Sequence, residues 1–183
     1  MTRLNRWSAI AVLAMMPAEF VMAGDWTEPV EVRHEDELCI AYQARLTGEF
    51  LTVRATLGPG WHTFAMDNKR RVDEKLAGRQ PISIDRATEI VASGGLQTAG
   101  PWYQSPPKDF SHPELRWFSW GFEKQALFAV KVRRGGAGAG KLSLRGQACT
   151  ASVCKNIDLA ISLPPANSGG ASGVDLKELV EVR

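Results

Sequence analysis

An all-β fold is predicted by three features of this sequence. Apolar and polar residues alternate through much of the chain, as where Leu51, Val53 and Ala55 alternate with Thr52 and Arg54. Such alternation is typical of strands with one buried face. Turn-forming glycine and proline separate the alternating runs, and long stretches of helical period are few. Together these features predict an antiparallel β-sandwich of the immunoglobulin-like type.

Six segments carry the strand pattern. Residues 38–46 and 49–57 are predicted to form a first hairpin, and the second of these strands stops at the turn sequence Gly58-Pro59-Gly60. The later strands are expected within residues 80–92, 126–132, 141–148 and 156–164. Between two of them, the glycine-rich segment from Arg133 to Lys141 is interpreted as a flexible loop.

The two ends of the chain differ from this pattern. Arg3 and Arg6 precede a short apolar run, and small residues lead up to Ala23, so residues 1–23 are predicted to be a cleaved signal peptide. This predicts a periplasmic protein with no membrane span in the mature chain. Residues 24–165 are expected to form the sandwich domain, and residues 166–183 a flexible linker with a short tail of one or two helical turns.

The charge of the chain argues against a nucleic-acid partner. The formal charge is +2, and removing Arg3, Arg6 and Glu19 with the signal peptide leaves +1. A nucleic-acid-binding domain needs a concentrated basic face. The one basic run, from Asn68 to Arg71, is interpreted as a solvated turn.

An aromatic, proline-rich segment interrupts the strand pattern at residues 100–122. It is predicted to be a long irregular loop that leads into a strand, and long ordered loops are often functional. The alternative is that its aromatic side chains close one end of the sandwich. These side chains are Trp102, Tyr103, Phe110, Trp117, Phe118, Trp120 and Phe122.

Cys149 and Cys154 invite three interpretations: a structural staple, half of a metal site, or a redox-active disulfide. Closing so short a loop stabilises a protein by about 2 kcal/mol in the chain-entropy model, whereas a link from Cys39 to Cys149 would give about 5 kcal/mol. If the purpose were stability, a disulfide from Cys39 to Cys149 would therefore stabilise the protein more. Zinc is disfavoured because the histidine spacings match no finger pattern, and Cu(I) is the metal worth testing. Cys39 is expected to be a buried apolar residue.

A bridge between these cysteines would require the chain to turn back at residues 150–153. Five residue steps along a strand span about 16 Å, far more than a disulfide allows. The two flanking strands would then be antiparallel. By strand parity, both sulfurs would face away from the apolar side, where another protein can reach them. His62, in a predicted turn, is interpreted as structural.

Two segments resemble the N-terminal periplasmic domain of the thiol-disulfide interchange protein DsbD. They are "LTVRATLGPGWHTFAMDN" and "FAVKVRRGGAGAGKLSLRGQACTASVCKNIDLAISLP", and the similarity covers about residues 30–164. The resemblance implies that Cys149 and Cys154 exchange electrons, with Cys154 forming the mixed disulfide. It also implies that Phe110 caps the pair; Trp102 and Trp117 are the substitutes considered.

The resemblance further implies the class of partner. Electrons would come from a thioredoxin-like or DsbD-type membrane protein and would pass to a periplasmic disulfide isomerase or a cytochrome-maturation thioredoxin. No cofactor is implied. Since no Cys-x-x-Cys motif or membrane domain follows in this sequence, a separate electron donor is expected. The rival hypothesis is an immunoglobulin-like protein-binding module with an inert disulfide.

Overall fold

Two antiparallel sheets pack face to face in the computed structural model, which describes residues 26–80, 85–135, 138–163 and 174–183. The predicted signal peptide and residues 166–173 of the predicted linker lie outside the described residues. This two-sheet architecture confirms the predicted immunoglobulin-like sandwich. Within the described residues, no helix has the length and apolar character needed to cross a bilayer.

The first sheet contains six strands. Its two central strands come from segments predicted as strands, residues 49–57 and 126–132, and Val53 pairs directly with Phe128. In spatial order the strands are β1 (Val30–His34), β2 (Glu37–Thr47), β3 (Phe50–Leu57), β9 (Gln125–Arg134), β6 (Leu96–Gln104) and β12 (Val180–Glu181). The predicted first hairpin is confirmed as β2 and β3.

The second sheet holds both cysteines of interest. Its main path is β11 (Cys154–Ser162), β10 (Gly140–Cys149), β4 (His62–Phe64), β8 (Trp120–Glu123) and β7 (Lys108–Asp109). One long edge of β10 pairs fully with β11. Its other edge is shared, because β5 (Glu89–Gly94) pairs with the first half of β10 while β4 pairs with its end.

The core lies between the two sheets. Leu51, Val53 and Ala55 face it from the first sheet, and Leu142 and Leu144 face it from the second. All five are almost completely buried, as the alternation predicts. Cys39 on β2 is a free cysteine buried in this core, which confirms the expectation for it. Burial raises the pKa of its thiol, and the nearby charge of Lys155 partly opposes that effect.

Besides the aromatic segment at residues 100–122, which contains strands, two segments differ from the sequence prediction. The basic run from Asn68 to Arg71 begins a helix, α1 (Asn68–Leu76), instead of a solvated turn. Charged residues four positions apart on this helix, such as Lys69 and Asp73, form ion pairs. At the other end, residues 174–183 form a single 3-10 turn (Leu176–Glu178) and then β12, which pairs with β6.

Candidate functional site

A disulfide closes the end of the β10–β11 hairpin. Cys149 and Cys154 are directly opposed in the antiparallel register, with an S–S distance of 2.07 Å and a Cα–Cα distance of 4.0 Å. The connecting turn satisfies its own backbone: the Thr150 N–H donates to the Val153 carbonyl at 2.7 Å. The Thr150 hydroxyl oxygen accepts from the N–H groups of Ser152 and Val153. The predicted reversal of the chain at residues 150–153 is thus confirmed.

The two sulfur-bearing residues lie on the face of the second sheet that points away from the core. Their neighbour Ala148 belongs to the core, and side chains alternate along a strand, so Cys149 is on the opposite face. This confirms the parity prediction. The accessibility of the two cysteines differs, however, because Cys149 is 2% exposed whereas Cys154 is exposed. Solvent therefore reaches Cys154, whereas the protein covers Cys149.

His62 is the cross-strand neighbour of Cys149 on the other side. β4 pairs with β10 so that His62 is opposite Cys149, and β8 pairs with β4 so that Glu123 is opposite His62. Directly opposed residues share one face of a sheet. Cys154, Cys149, His62 and Glu123 consequently form one row across four strands, and sequence reasoning did not assign His62 to this site.

The His62 ring is held between two phenylalanine rings. Its centroid lies 5.4 Å from that of Phe64 and 5.3 Å from that of Phe110. Burial lowers the pKa of His62, and the carboxylates of Asp85 and Glu123 oppose part of that change. A neutral imidazole can accept a proton.

Phe110 stands on an ordered hairpin instead of the irregular loop predicted. β7 pairs with β8, and the Phe110 N–H donates to the Ser119 carbonyl at 2.9 Å. The absence of a side chain at Gly121 makes room for the ring, since a Cβ there would lie 3.2 Å from Phe110 Cε2 and 2.0 Å from the Thr63 carbonyl oxygen. Phe110 thus reaches His62, which is the neighbour of Cys149.

An ion pair flanks the Phe110 ring. Lys108 Nζ lies 5.4 Å from the ring centroid and donates to Glu123 Oε2 at 2.9 Å. The hydrogen bond from Lys108 lowers the pKa of Glu123. Both charged side chains are largely exposed, so the pair marks the solvent side of the hairpin.

The two tryptophans considered as substitute caps lie in different places. Trp117 is on the same hairpin as Phe110, where it stacks on His112 and its indole N–H donates to Asp85 Oδ2 at 3.1 Å. Trp102 lies in the first sheet, opposite Val130 on β9, and packs against the core. The structure therefore does not bring Trp102 to the disulfide.

A buried polar network supports the base of this hairpin. The Trp120 N–H at the start of β8 donates to Asn68 Oδ1 at 2.7 Å. Next to it, Asp67 accepts from Gln104 Nε2 at 2.8 Å, and the other end of that amide accepts from the Met66 N–H. Asp67 and Asn68 are both buried. They connect the start of α1 to both sheets. The interpretation of residues 68–71 as a solvated turn did not predict this role.

The charged residues closest in sequence to the cysteines are directed elsewhere. Arg145 Nε lies 3.7 Å from Asp158 Oδ1, along the hairpin from the disulfide. Lys155 is on the opposite face from Cys154 and acts on Cys39. Among the residues that the structure describes, no group of three or more His, Cys, Asp and Glu side chains is arranged to hold a metal ion.

Fold and site together define an immunoglobulin-like β-sandwich domain with an accessible disulfide at the end of an edge hairpin. No protein-family model matches the chain, and no curated protein matches it. Among solved structures, it is similar to the DsbD N-terminal domain of Neisseria meningitidis in the reduced form, with 14% sequence identity and a TM-score of 0.46. That match covers 79% of this chain and 91% of the other.

A second solved structure shows a weaker likeness. This is the GAE domain of GGA2p from Saccharomyces cerevisiae, with 11% sequence identity and a TM-score of 0.32. The match covers 75% of this chain and 98% of that domain.

Proposed function

We propose that this protein exchanges thiols and disulfides in the bacterial periplasm, relaying two electrons through Cys149 and Cys154. The donor is a thioredoxin-like domain or a DsbD-type membrane protein. The acceptor is a periplasmic disulfide isomerase or a cytochrome-maturation thioredoxin. These partner classes, and the periplasmic location, rest on the resemblance of the cysteine hairpin and on the signal-like N-terminal sequence.

The unequal burial of the two half-cystines is the observation that carries the proposal. Exchange requires a thiolate to attack one sulfur in line with the bond while the other sulfur departs. Cys154 is exposed and Cys149 is 2% exposed, so one sulfur is open to attack and the other is protected. A bridge with both sulfurs in the core would support a structural role instead.

The reaction proceeds in two balanced steps. A donor thiolate attacks Cys154 Sγ, forms a mixed disulfide and releases Cys149 as a thiolate, which is then protonated. The second donor thiol loses its proton and attacks the donor sulfur of the mixed disulfide, which releases the Cys154 thiolate. The donor pair becomes a disulfide and the Cys149–Cys154 pair is reduced. With an oxidised acceptor the same steps run in reverse.

Phe110 is proposed to be the cap of this site. Its ring lies against His62, beside the protected Cys149, and leaves Cys154 accessible. A cap in this position restricts the directions from which an unrelated thiol can reach the bond.

Two measurements test the function. Equilibration in dithiothreitol buffers gives the reduction potential, which we expect to lie above the value of about −300 mV typical of structural bridges. In addition, Cys149→Ala should trap a thioredoxin-like protein on Cys154 as a mixed disulfide, because the resolving thiol is gone. Cys154→Ala is the matched control and should trap none.

The opposite results would support the inert-disulfide alternative. A potential well below −300 mV, or equal trapping by the two variants, would contradict electron relay through Cys154.

A further inference from the structure

We propose that His62 is the base that deprotonates Cys149 when the reduced pair passes its electrons to an acceptor. This inference rests on the proposed function and adds a residue to it. It follows from the row of side chains across the second sheet, in which Cys149 is between Cys154 and His62.

The sheet gives Cys149 two lateral neighbours on its own face. One is Cys154, to which it is bonded in the oxidised state. The other is His62, and directly opposed Cβ atoms in an antiparallel pair lie about 4.5 to 5.5 Å apart. When the disulfide opens, the Cys149 side chain is free to adopt another staggered rotamer, and a rotation about its Cα–Cβ bond can turn the sulfur from its former partner toward the imidazole.

Burial creates the need for a base. The thiolate, not the thiol, is the nucleophile, and an apolar surrounding disfavours the charged form. Cys149 is 2% exposed, so solvent assists little in removing its proton. An adjacent imidazole activates a cysteine by forming a thiolate–imidazolium pair.

The surroundings of His62 keep it ready to accept a proton. Phe64 and Phe110 enclose the ring, and the resulting burial lowers its pKa, so the neutral form prevails near neutral pH. Asp85 and Glu123 are the carboxylates that act on it, and they favour the imidazolium once the proton arrives. Lys108, on β7, donates a hydrogen bond to Glu123, and its positive charge weakens the stabilisation of the imidazolium by that carboxylate.

The proposed transfer to an acceptor takes place in two exchanges. An acceptor disulfide is attacked by the Cys154 thiolate, which gives a mixed disulfide and one acceptor thiolate. His62 then takes the proton of Cys149, and the Cys149 sulfur attacks Cys154 Sγ. The Cys149–Cys154 bond forms, the second acceptor sulfur leaves as a thiolate, and His62 returns the proton to solvent or to that thiolate. The acceptor gains two electrons.

The experiment compares His62→Phe with the parent protein, because phenylalanine keeps a ring against Phe64 and Phe110 but has no nitrogen. His112→Phe is the matched control, since His112 stacks on Trp117 at the hairpin tip. The reduced proteins are mixed with dithiobis(nitrobenzoate), which releases one coloured thiolate when Cys154 attacks and a second when Cys149 resolves the adduct. Thiolate absorbance in a Cys154→Ser background reports the ionisation of Cys149, and the contribution of Cys39 cancels between variants.

We expect His62→Phe to leave the first release unchanged and to slow the second about tenfold or more near neutral pH, the size expected for one interaction with a charged group. The effect should shrink at alkaline pH, where Cys149 ionises without help. His112→Phe should change neither step. Where His62→Phe fails to fold, His62→Gln, which offers a hydrogen bond but takes no proton, replaces it with the same expected slowing.

An unchanged second release, or a slowing that is equal at every pH, would overturn the role of His62. Either result leaves the proposed function intact, since the pair would still exchange. Failure of the proposed function has a different signature: a reduction potential typical of a structural bridge, while the ionisation of Cys149 still depends on His62.

Discussion

Asp67→Asn should destabilise the protein by about 2 kcal/mol at neutral pH, because it removes a buried charge from its partners. The Asp67 side chain is fully buried. It accepts from Gln104 at 2.8 Å, and Arg71 Nε lies 2.9 Å from the same oxygen as an ion-pair contact. Arg70 approaches the other oxygen at 3.5 Å. Both arginines are partly exposed, so the expected loss of stability is smaller than for a fully buried pair.

The pH dependence identifies the charge as the cause. Burial raises the pKa of Asp67, but Arg71 and Gln104 outweigh it, and the net pKa is lower than usual. A carboxyl whose pKa is lowered by folding contributes stability above its unfolded pKa and loses that contribution as pH falls through its folded pKa. The difference between parent and variant should therefore be full above about pH 5 and shrink in more acidic solution.

Urea unfolding at several pH values, followed by circular dichroism, measures this difference. Asp73→Asn is the matched control, because Asp73 forms an exposed ion pair on the same helix and should cost less than about 0.5 kcal/mol. A loss below about 0.5 kcal/mol for Asp67→Asn at neutral pH, or a loss that stays constant into acid, would refute the reasoning.

Two further predictions concern the Phe110 hairpin. Phe110→Ala should make reduction of the disulfide by dithiothreitol several-fold faster, because the ring beside His62 is removed. Leu115→Ala is the control, because Leu115 is 61% exposed at the tip of the hairpin. Equal reduction rates for the two variants would contradict shielding of the disulfide by Phe110. Gly121→Ala should lower the free energy of unfolding by about 2 kcal/mol, since its Cβ would lie 2.0 Å from the Thr63 carbonyl oxygen. An unchanged thermal unfolding midpoint would contradict this, because it would show that β8 can shift away from Thr63 with no loss of stability.

Local patterns predict the strands of this fold well. Alternation at Leu51, Val53 and Ala55 reflects burial of one face, and that burial is also what selects the register of β3. The turn between Cys149 and Cys154 follows from the limited reach of a disulfide. Each of these inferences depends on residues that are close in sequence, which is why it can be made without the structure.

The rest of the site depends on pairings across long sequence distances. His62 meets Cys149 because β4 pairs with the end of β10, and β5 occupies the remainder of that edge. No local feature of the sequence Gly-Trp-His indicates this neighbour. The regular hairpin at Phe110 likewise depends on Gly121, which is remote in sequence from the β4 backbone it approaches. Asn68, within a basic run, gave no sign that it would bind the backbone of Trp120.

The continuous register of β10 and β11 has a consequence for the two oxidation states. Pairing runs unbroken from Lys141 opposite Ser162 to Cys149 opposite Cys154, so backbone hydrogen bonds hold the hairpin independently of the sulfur bond. These backbone hydrogen bonds do not require the sulfur bond, so the hairpin can keep its shape when that bond opens. Under the proposed function, donor and acceptor would then meet the same backbone surface.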